Sequence, residues 1–196
     1  MNYLAHAYLS FNDPTVLVGN MISDFVKGKK KYEYDEAIQN GIMLHRAIDD
    51  FTDTHETTRE AKQVFRPMVG LYSGAFTDVA YDHFLANDPN EFTESGLKAF
   101  TQSTYQSLSL YRHVFPLRFA GMFPYMQEHD WLYNYRMEWG IERSFGGLTR
   151  RAAYLDDSSE AFEAFRTNYS TLKECYTHFF PSLKKFAEGI FATFKL

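Results

Sequence analysis

Apolar residues recur at helical spacing, three and four positions apart, from the beginning of the chain to its end. No convincing run alternates between apolar and polar residues as a half-buried strand would. Turn and helix-breaking residues, such as Asn12-Asp13-Pro14, interrupt the pattern at intervals. The pattern predicts an all-α helical bundle with helices at about residues 2–11, 15–27, 34–54, 57–67, 70–86, 90–113, 117–127, 129–146 and 158–192.

The last predicted helix carries the longest apolar stripe. Its members follow one another at alternating steps of three and four: Phe162, Phe165, Tyr169, Leu172, Tyr176, Phe179, Leu183, Phe186 and Ile190. A sustained heptad can form a coiled coil with a partner chain, but so many bulky aromatic residues favour packing onto the protein's own body. We expect Pro181 to bend or interrupt this helix, because proline removes one backbone hydrogen bond and clashes with the preceding turn.

Length and composition predict one domain that spans residues 1–196. A chain of 196 residues, 45% of them hydrophobic, is long enough to bury one sizeable core. The lone cysteine, Cys175, cannot form an internal disulfide, and the first residues lack the features of a signal peptide. No apolar run approaches the roughly 20 residues that span a bilayer, and a net charge of −5 argues against a general nucleic-acid binder. We therefore expect a soluble, cytoplasmic protein without membrane or nucleic-acid partners.

Polar residues four positions apart occur in four of the predicted helices. Residues at this spacing lie on one helix face, so both can reach the same point. The pairs are Asn2 with His6, Asn20 with Asp24, His45 with Asp49, and Asp78 with Asp82, which His83 follows directly. His45 shares a stripe with Ile42 and Ile48, which places its imidazole on the face that should be buried. Carboxylates on such faces are costly to desolvate unless they are paired or bind a cation.

These pairs have two interpretations. Taken singly, a core histidine often only hydrogen-bonds a carbonyl, and a buried aspartate often caps a neighbouring helix or pairs with an arginine. Four helices that each bring such residues to an apolar face favour a shared site. Carboxylate oxygens with imidazole nitrogens suit Mn²⁺, Mg²⁺, Fe²⁺ or Zn²⁺, whereas the lack of cysteine ligands argues against a closed structural zinc site. Metal-assisted hydrolysis of a phosphoester is the chemistry that such a site favours most.

Four motifs in the first half of the chain carry a family resemblance. They are MNYLAHAYLS at Met1–Ser10, VGNMISDFVKG at Val18–Gly28, GIMLHRAIDDFTDTH at Gly41–His55 and TDVAYDHFLA at Thr77–Ala86. In this order they resemble the acyl carrier protein phosphodiesterases, and a weaker resemblance continues to the terminal aromatic helix. The resemblance implies hydrolysis of the phosphodiester that joins 4′-phosphopantetheine to a serine of holo-acyl carrier protein. It also implies a divalent metal, Mn²⁺ before the others, and a fold related to the HD phosphohydrolases.

The resemblance also implies the site residues. The HD superfamily is named after a His-Asp dipeptide, whereas this chain has the reverse order, Asp82-His83, so only residues within the four motifs are carried over. The predicted metal ligands are Asp24, His45, Asp82 and His83, followed by His6 and Asp78. The predicted catalytic residues are Asp24 as ligand or general base, His45, Asn20 to orient water or a phosphate oxygen, and Arg46 to balance phosphate charge or to pair with Asp49 or Asp50. The expected supporting or helix-capping residues are Asp49, Asp53 and His55.

Holo-acyl carrier protein is the expected partner. Carrier proteins are acidic, so a basic surface near the site should speed encounter and orient the partner. The predicted partner-binding residues are Lys27, Lys29, Lys30 and Lys31, which follow Asp24 in the sequence. A lysine-rich loop after a helix is equally compatible with simple solvation. Two other functions stay open: an HD-like phosphohydrolase of a nucleotide or another small phosphoester, and a non-catalytic helical adaptor for an acidic partner.

Overall fold

The computed structural model describes residues 1–194, which are mainly α-helical. In chain order the α-helices are α1 (Tyr3–Tyr8), α2 (Pro14–Ile22), α3 (Glu36–Thr54), α4 (Glu56–Val69), α5 (Ser73–Ala86), α6 (Glu94–Leu110), α7 (Leu117–Glu128), α8 (Trp131–Asn134), α9 (Glu138–Thr149), α10 (Ser159–Thr167) and α11 (Tyr169–Thr193). Short 3₁₀ helices lie at Ser23–Phe25, Gly28–Glu33, Gly70–Tyr72 and Arg112–Val114. Residues 1–194 contain no β-strand, so the all-α prediction is confirmed. None of these helices is long and apolar enough to cross a membrane.

Two of the predicted helices are divided in the structure. The segment predicted as one helix over residues 129–146 contains α8 and α9, with a break between Asn134 and Glu138. The segment predicted over residues 158–192 contains α10 and α11, which meet at Asn168, and the side-chain amide of Asn168 donates to the Ala164 carbonyl at 2.9 Å. Pro181 does not interrupt α11. Apolar spacing did not locate these breaks because the segments on either side of each break face the same core.

Helix α11 packs along the body of the protein. Its residues Leu172, Tyr176, Phe179 and Leu183 are buried, and the helix contacts α3, α4 and α5. Tyr81 of α5 stacks on Phe179 with the ring centroids 5.1 Å apart. The aromatic stripe of this helix therefore belongs to the core, as its composition predicts.

Helices α2 and α3 approach each other at backbone contact. A Cβ atom added to Gly19 would lie 2.1 Å from the carbonyl oxygen of Ile38, and one added to Gly41 would lie 2.2 Å from that of Val16. Glycine is required at both positions because no side chain fits between the two backbones. This contact sets the C-terminal end of α2 beside the middle of α3, where His45 lies.

Candidate metal centre

His6 of α1 and His45 of α3 meet with the Asp49 carboxylate beside them. Their imidazole rings stack with centroids 3.9 Å apart and planes 17° apart. Asp49 Oδ1 lies 3.2 Å from His6 Nε2, and Asp49 Oδ2 lies 3.1 Å from His45 Nε2. One ligand atom from each of the three residues lies within 4.8 Å of the other two. We call these three residues the His-His-Asp cluster.

Hydrogen bonds from α2 determine which nitrogen of His6 faces the cluster. Asn20 is fully buried, and its amide nitrogen donates to the His6 carbonyl oxygen at 2.8 Å and to Ser10 Oγ at 3.1 Å. Asn20 Oδ1 is therefore the atom 2.8 Å from His6 Nδ1, and it accepts a hydrogen bond from that nitrogen. His6 Nε2 is left with a lone pair directed at the Asp49 carboxylate.

His6 Nε2 is buried and has no hydrogen-bond partner among residues 1–194. Its neighbour at 3.2 Å is a carboxylate oxygen, which also carries lone pairs. Burial and the nearby charge of His45 lower the pKa of His6 to about 4, so this ring is neutral near pH 7. Two acceptors that face each other repel, and a cation between them would relieve the repulsion.

Asp24 approaches the cluster from the solvent side. Its Oδ1 atom lies 3.3 Å from His45 Nε2, and its side chain is 63% exposed. Burial lowers the pKa of His45, but hydrogen bonds to Asp24 and Asp49 outweigh burial and raise it to about 9. The hydrogen bond from His45 holds the pKa of the Asp24 carboxyl below its usual value. Near pH 7 the site therefore combines the neutral His6 imidazole and the protonated His45 ring with two ionised carboxylates.

The cluster lies in the wall of an open cleft of about 310 Å³, here called the cluster cleft. Four of the predicted ligands line it: His6, Asp24, His45 and Asp78. Asp78 Oδ1 accepts a hydrogen bond from the N-terminal ammonium group of Met1 at 2.9 Å, across the cleft from α3. Burial raises the pKa of Asp78, although the ammonium group opposes this effect. Asp78 is therefore at the cleft but is engaged by the start of the chain.

Asp82 holds the N-terminus of α1. Its carboxylate accepts hydrogen bonds from the backbone nitrogens of Asn2 at 3.1 Å, Leu4 at 2.7 Å and Ala5 at 3.3 Å. Burial raises the pKa of Asp82 to about 7, against the opposing effects of the Met1 ammonium group and of these donors. The structure gives Asp82 the role of a buried cap on a neighbouring helix, and it does not bring the side chain to the wall of the cluster cleft.

His83 points into an aromatic part of the core. Its Nδ1 lies 2.8 Å from the carbonyl oxygen of Tyr135, so Nδ1 carries the proton, and Nε2 accepts from the Tyr169 hydroxyl at 2.9 Å. Phe84 and Phe165 pack edge-on against the ring. Both ring nitrogens are engaged, and the residue does not line the cluster cleft.

Arg46 and the lysines lie outside the cluster cleft. Arg46 Nη2 donates to the carbonyl oxygen of Val26 at 2.9 Å, which ties the segment after α2 to α3. Lys27, Lys29 and Lys30 are exposed and Lys31 is half-buried; Gly28–Glu33 form a 3₁₀ helix. Arg46 thus binds the backbone, and the lysines form a solvent-facing group that follows Asp24.

Asp49 and Arg151 line the cleft although neither was among the predicted ligands or catalytic residues. Asp49, expected in a supporting role, contacts the Nε2 atoms of both histidines, His6 at 3.2 Å and His45 at 3.1 Å. Its spacing of four from His45 was the available signal. Arg151 also lines the cluster cleft. Nothing near Arg151 in the sequence distinguishes it from the other arginines, because its position depends on the packing of α9 against α5.

The nitrogen and oxygen donors of the site suit a divalent cation that is intermediate between hard and soft. Two imidazole nitrogens and carboxylate oxygens converge, and no thiolate is present, since the lone Cys175 lies in α11 and does not line the cleft. The unpartnered His6 Nε2 atom opposite Asp49 fits such an ion. Fold and site together define a helical protein whose open cleft presents a His-His-Asp set suited to a divalent cation.

The chain belongs to the acyl carrier protein phosphodiesterase family, whose family model matches residues 1–183. The acyl carrier protein phosphodiesterase of Enterobacter sp. (strain 638) is 30% identical over 184 residues, which cover 93% of this chain and 95% of that protein. The protein of the same description from Klebsiella pneumoniae (strain 342) is 30% identical over 190 residues, or 96% of this chain and 98% of the relative. The predicted family resemblance is confirmed. No solved structure matches the chain, and the relation to the HD phosphohydrolases stays a prediction.

Proposed function

We propose that this protein hydrolyses the phosphodiester that links 4′-phosphopantetheine to a serine of holo-acyl carrier protein. The products are apo-acyl carrier protein and free 4′-phosphopantetheine. One observation carries the proposal: in a member of the acyl carrier protein phosphodiesterase family, the bare Nε2 atom of His6 faces the Asp49 carboxylate at 3.2 Å in an open cleft. The relatives named above are themselves acyl carrier protein phosphodiesterases.

We assign the cation site to His6, His45 and Asp49, with Asp24 at its solvent side. Mn²⁺ is our first choice, because two imidazoles with carboxylates suit it, and Fe²⁺, Zn²⁺ and Mg²⁺ are the alternatives. When bound, such a cation supplies charge neutralisation at a phosphoryl oxygen and a lowered pKa for water. We assign Asp82 to positioning of α1, and His83 to the core, rather than to the ligand set.

The residues around the cluster have separate roles in this proposal. Asn20 holds the His6 ring in one tautomer, with Nδ1 protonated, so that Nε2 stays available. Asp24 is more open to solvent than Asp49, at 63% against 40% exposure of the side chain, and we assign it to accept the proton of the attacking water. The substrate phosphate enters from the open side of the cleft, past Asp24.

The lysines after α2 are the docking surface that we propose for the carrier protein. Lys27, Lys29 and Lys30 are exposed and follow Asp24 closely in the sequence, and the Arg46 hydrogen bond to Val26 ties their segment to α3. Their charge favours an acidic partner and should act mainly on the rate of encounter. We place the activity in the cytoplasm, because carrier protein is present there and a free thiol such as Cys175 stays reduced there.

Charge reversal tests this surface. Replacing Lys29, Lys30 and Lys31 together by Glu should raise the KM for holo-carrier protein at low salt, and the difference from wild type should shrink at high salt as the field is screened. The matched control is Lys98→Glu, at an exposed position of α6 away from the cleft. An unchanged KM at low salt would move the docking surface elsewhere.

Mass spectrometry of the carrier protein tests hydrolysis, because the holo and apo forms differ by the mass of the prosthetic group. Wild-type protein loaded with Mn²⁺ should convert holo-carrier protein to the apo form and release 4′-phosphopantetheine, and Asp24→Ala should reduce the rate by about a hundredfold or more. Glu142→Ala, at an exposed position of α9, is the control. Turnover of a nucleotide panel with no apo-carrier product would favour a small-molecule phosphohydrolase. Binding of carrier protein without turnover and without stoichiometric metal would favour an adaptor.

A further inference from the structure

A second cavity, of about 450 Å³, opens beside the cluster cleft, between α1 and the segment from α7 to α9. Three residues line both spaces: Asn2, Tyr3 and Arg151. The second cavity and the cluster cleft therefore adjoin along these side chains. A molecule whose phosphate lies near the His-His-Asp cluster can extend past Arg151 into the second cavity.

The walls of the second cavity are largely aromatic. Tyr125, Trp131, Tyr135 and Trp139 line it together with the thioether of Met122. Tyr125 and Trp139 keep 60% and 48% of their surface exposed, although each is a large apolar group. Exposed aromatic side chains that rim a concave space are typical of a ligand site.

The charged side chains around this cavity are all basic. Arg143, Arg150 and Arg151 line it, and none of its lining residues is a carboxylate. Arg143 lies over the Trp139 ring, with the guanidinium carbon 6.0 Å from the ring centroid. The cavity thus combines an apolar surface with positive charge, which suits a mostly apolar chain that carries a phosphate at one end.

Arg151 stands at the junction of the two spaces. Its Nε atom donates to the Gly147 carbonyl oxygen at 3.1 Å, which orients the guanidinium group, and no ion pair with a carboxylate is found for it in residues 1–194. Burial raises the pKa of Tyr3 to about 12, although the adjacent Arg151 opposes this effect, so the Tyr3 hydroxyl stays protonated. The junction therefore offers a cationic group and a neutral hydroxyl donor to an anion.

We propose that the second cavity holds the pantetheine arm of the substrate, with Arg151 and Tyr3 binding the phosphate end at the junction. This inference rests on the proposed function. A phosphodiester in the cluster cleft has two substituents. The serine side stays with the folded carrier protein outside, whereas the pantetheine side is a flexible chain with a dimethyl group, two amides and a thiol. The adjoining cavity accepts that chain, and its aromatic walls match the dimethyl and methylene groups.

Tryptophan fluorescence reports directly on occupancy of this cavity. The chain has two tryptophans, Trp131 and Trp139, and both line it. Titration of wild-type protein with free 4′-phosphopantetheine should change the emission in a saturable way. Pantetheine without the phosphate should bind more weakly, by about tenfold for the loss of one charge-assisted contact. Inorganic phosphate alone should leave the emission unchanged.

Filling the cavity is the matching perturbation. A Cβ atom on Gly147 would meet only the Arg150 guanidinium, at 3.7 Å, so Gly147→Phe adds a ring without a backbone clash. Glu142→Phe adds the same ring at an exposed position of the same helix, outside the cavity. Gly147→Phe should raise the KM for holo-carrier protein by about tenfold or more and abolish the fluorescence response. Glu142→Phe should match wild type, and both variants should retain wild-type Mn²⁺ stoichiometry.

A second pair of variants tests the same inference even if Gly147→Phe fails to fold. Arg151→Gln should reduce the preference for 4′-phosphopantetheine over pantetheine, whereas Arg118→Gln, at an exposed position outside both spaces, should keep the full preference for the phosphate. Normal hydrolysis together with an unchanged KM in Gly147→Phe, or an undiminished preference in Arg151→Gln, would overturn this inference alone. No apo-carrier product from wild-type protein would instead overturn the proposed function.

Discussion

Asp82 was predicted from the sequence as a metal ligand, whereas in the structure it caps the N-terminus of α1. Its carboxylate is the acceptor for three backbone N–H groups at the start of α1, and the bonds to Leu4 and Ala5 are fully buried. Asp82→Ala removes that acceptor and leaves those donors without a partner. An unsatisfied buried donor costs about 1–3 kcal/mol, so two buried donors and one part-buried donor predict a loss of about 3–5 kcal/mol in the free energy of unfolding.

Urea unfolding followed by far-UV circular dichroism measures this loss. A chelator should be present throughout, because any cation bound to the folded state would add its own stabilisation. Asp50→Ala is the control, since this carboxylate is exposed on α3, and it should change the free energy of unfolding by less than about 0.5 kcal/mol.

A cation ligand would give the opposite pattern from a cap. If Asp82 bound a metal, Asp82→Ala would unfold like wild type in chelator and would lose only the stabilisation gained on adding Mn²⁺. That result would refute the assignment of Asp82 to α1.

Three further predictions follow from the packing and from the buried polar groups. Gly41→Ala should destabilise the protein by about 1–3 kcal/mol, because the added Cβ would lie 2.2 Å from a backbone oxygen of α2. Gly121→Ala is the control and should not destabilise the protein, because nothing lies within 4 Å of its added Cβ. Equal urea midpoints for the two variants would contradict the close contact of α2 with α3. Asn20→Leu removes the acceptor of His6 Nδ1 and should weaken Mn²⁺ binding by about 10–100-fold in a calorimetric titration, whereas unchanged affinity would mean that the ring needs no such support. Between about pH 4 and 7, Asp82 holds a proton in the folded state, where its pKa is about 7, whereas the unfolded chain has already released it. The free energy of unfolding of wild type relative to Asp82→Asn should therefore fall as pH rises from about 4 to 7. A rise over this range would mean that the pKa of Asp82 is shifted in the opposite direction.

Helical spacing predicted most of the architecture and part of the site. His45 and Asp49 were visible as a pair on one helix face, and Asn20 as a polar residue in an apolar helix, because such facts depend only on position within one helix. Which of these polar residues come together depends on the close contact of α2 with α3. The sequence contains the glycines that allow this contact, but it does not show that they pack against each other. Asp49 was consequently expected behind the ligands, whereas its carboxylate contacts the Nε2 atoms of both histidines.

The direction of a side chain across the core was the harder part. Asp82 and His83 are neighbours in sequence, yet one caps α1 and the other bonds to Tyr135 and Tyr169. Successive residues on a helix point about 100° apart, and in this chain the two side chains reach different parts of the core. Nothing in the sequence singled out Arg151, and only the packing of α9 brings it to the junction of the two cavities.

The central claim is that His6 and His45 both coordinate a divalent cation in the cluster cleft. Pulsed electron paramagnetic resonance of the Mn²⁺-loaded protein tests it most directly, because the spectrum resolves couplings from directly bound imidazole nitrogens. We predict couplings from two imidazoles, with one lost in His6→Ala and one lost in His45→Ala. A protein that cleaves holo-carrier protein while its Mn²⁺ shows no imidazole coupling would contradict the account.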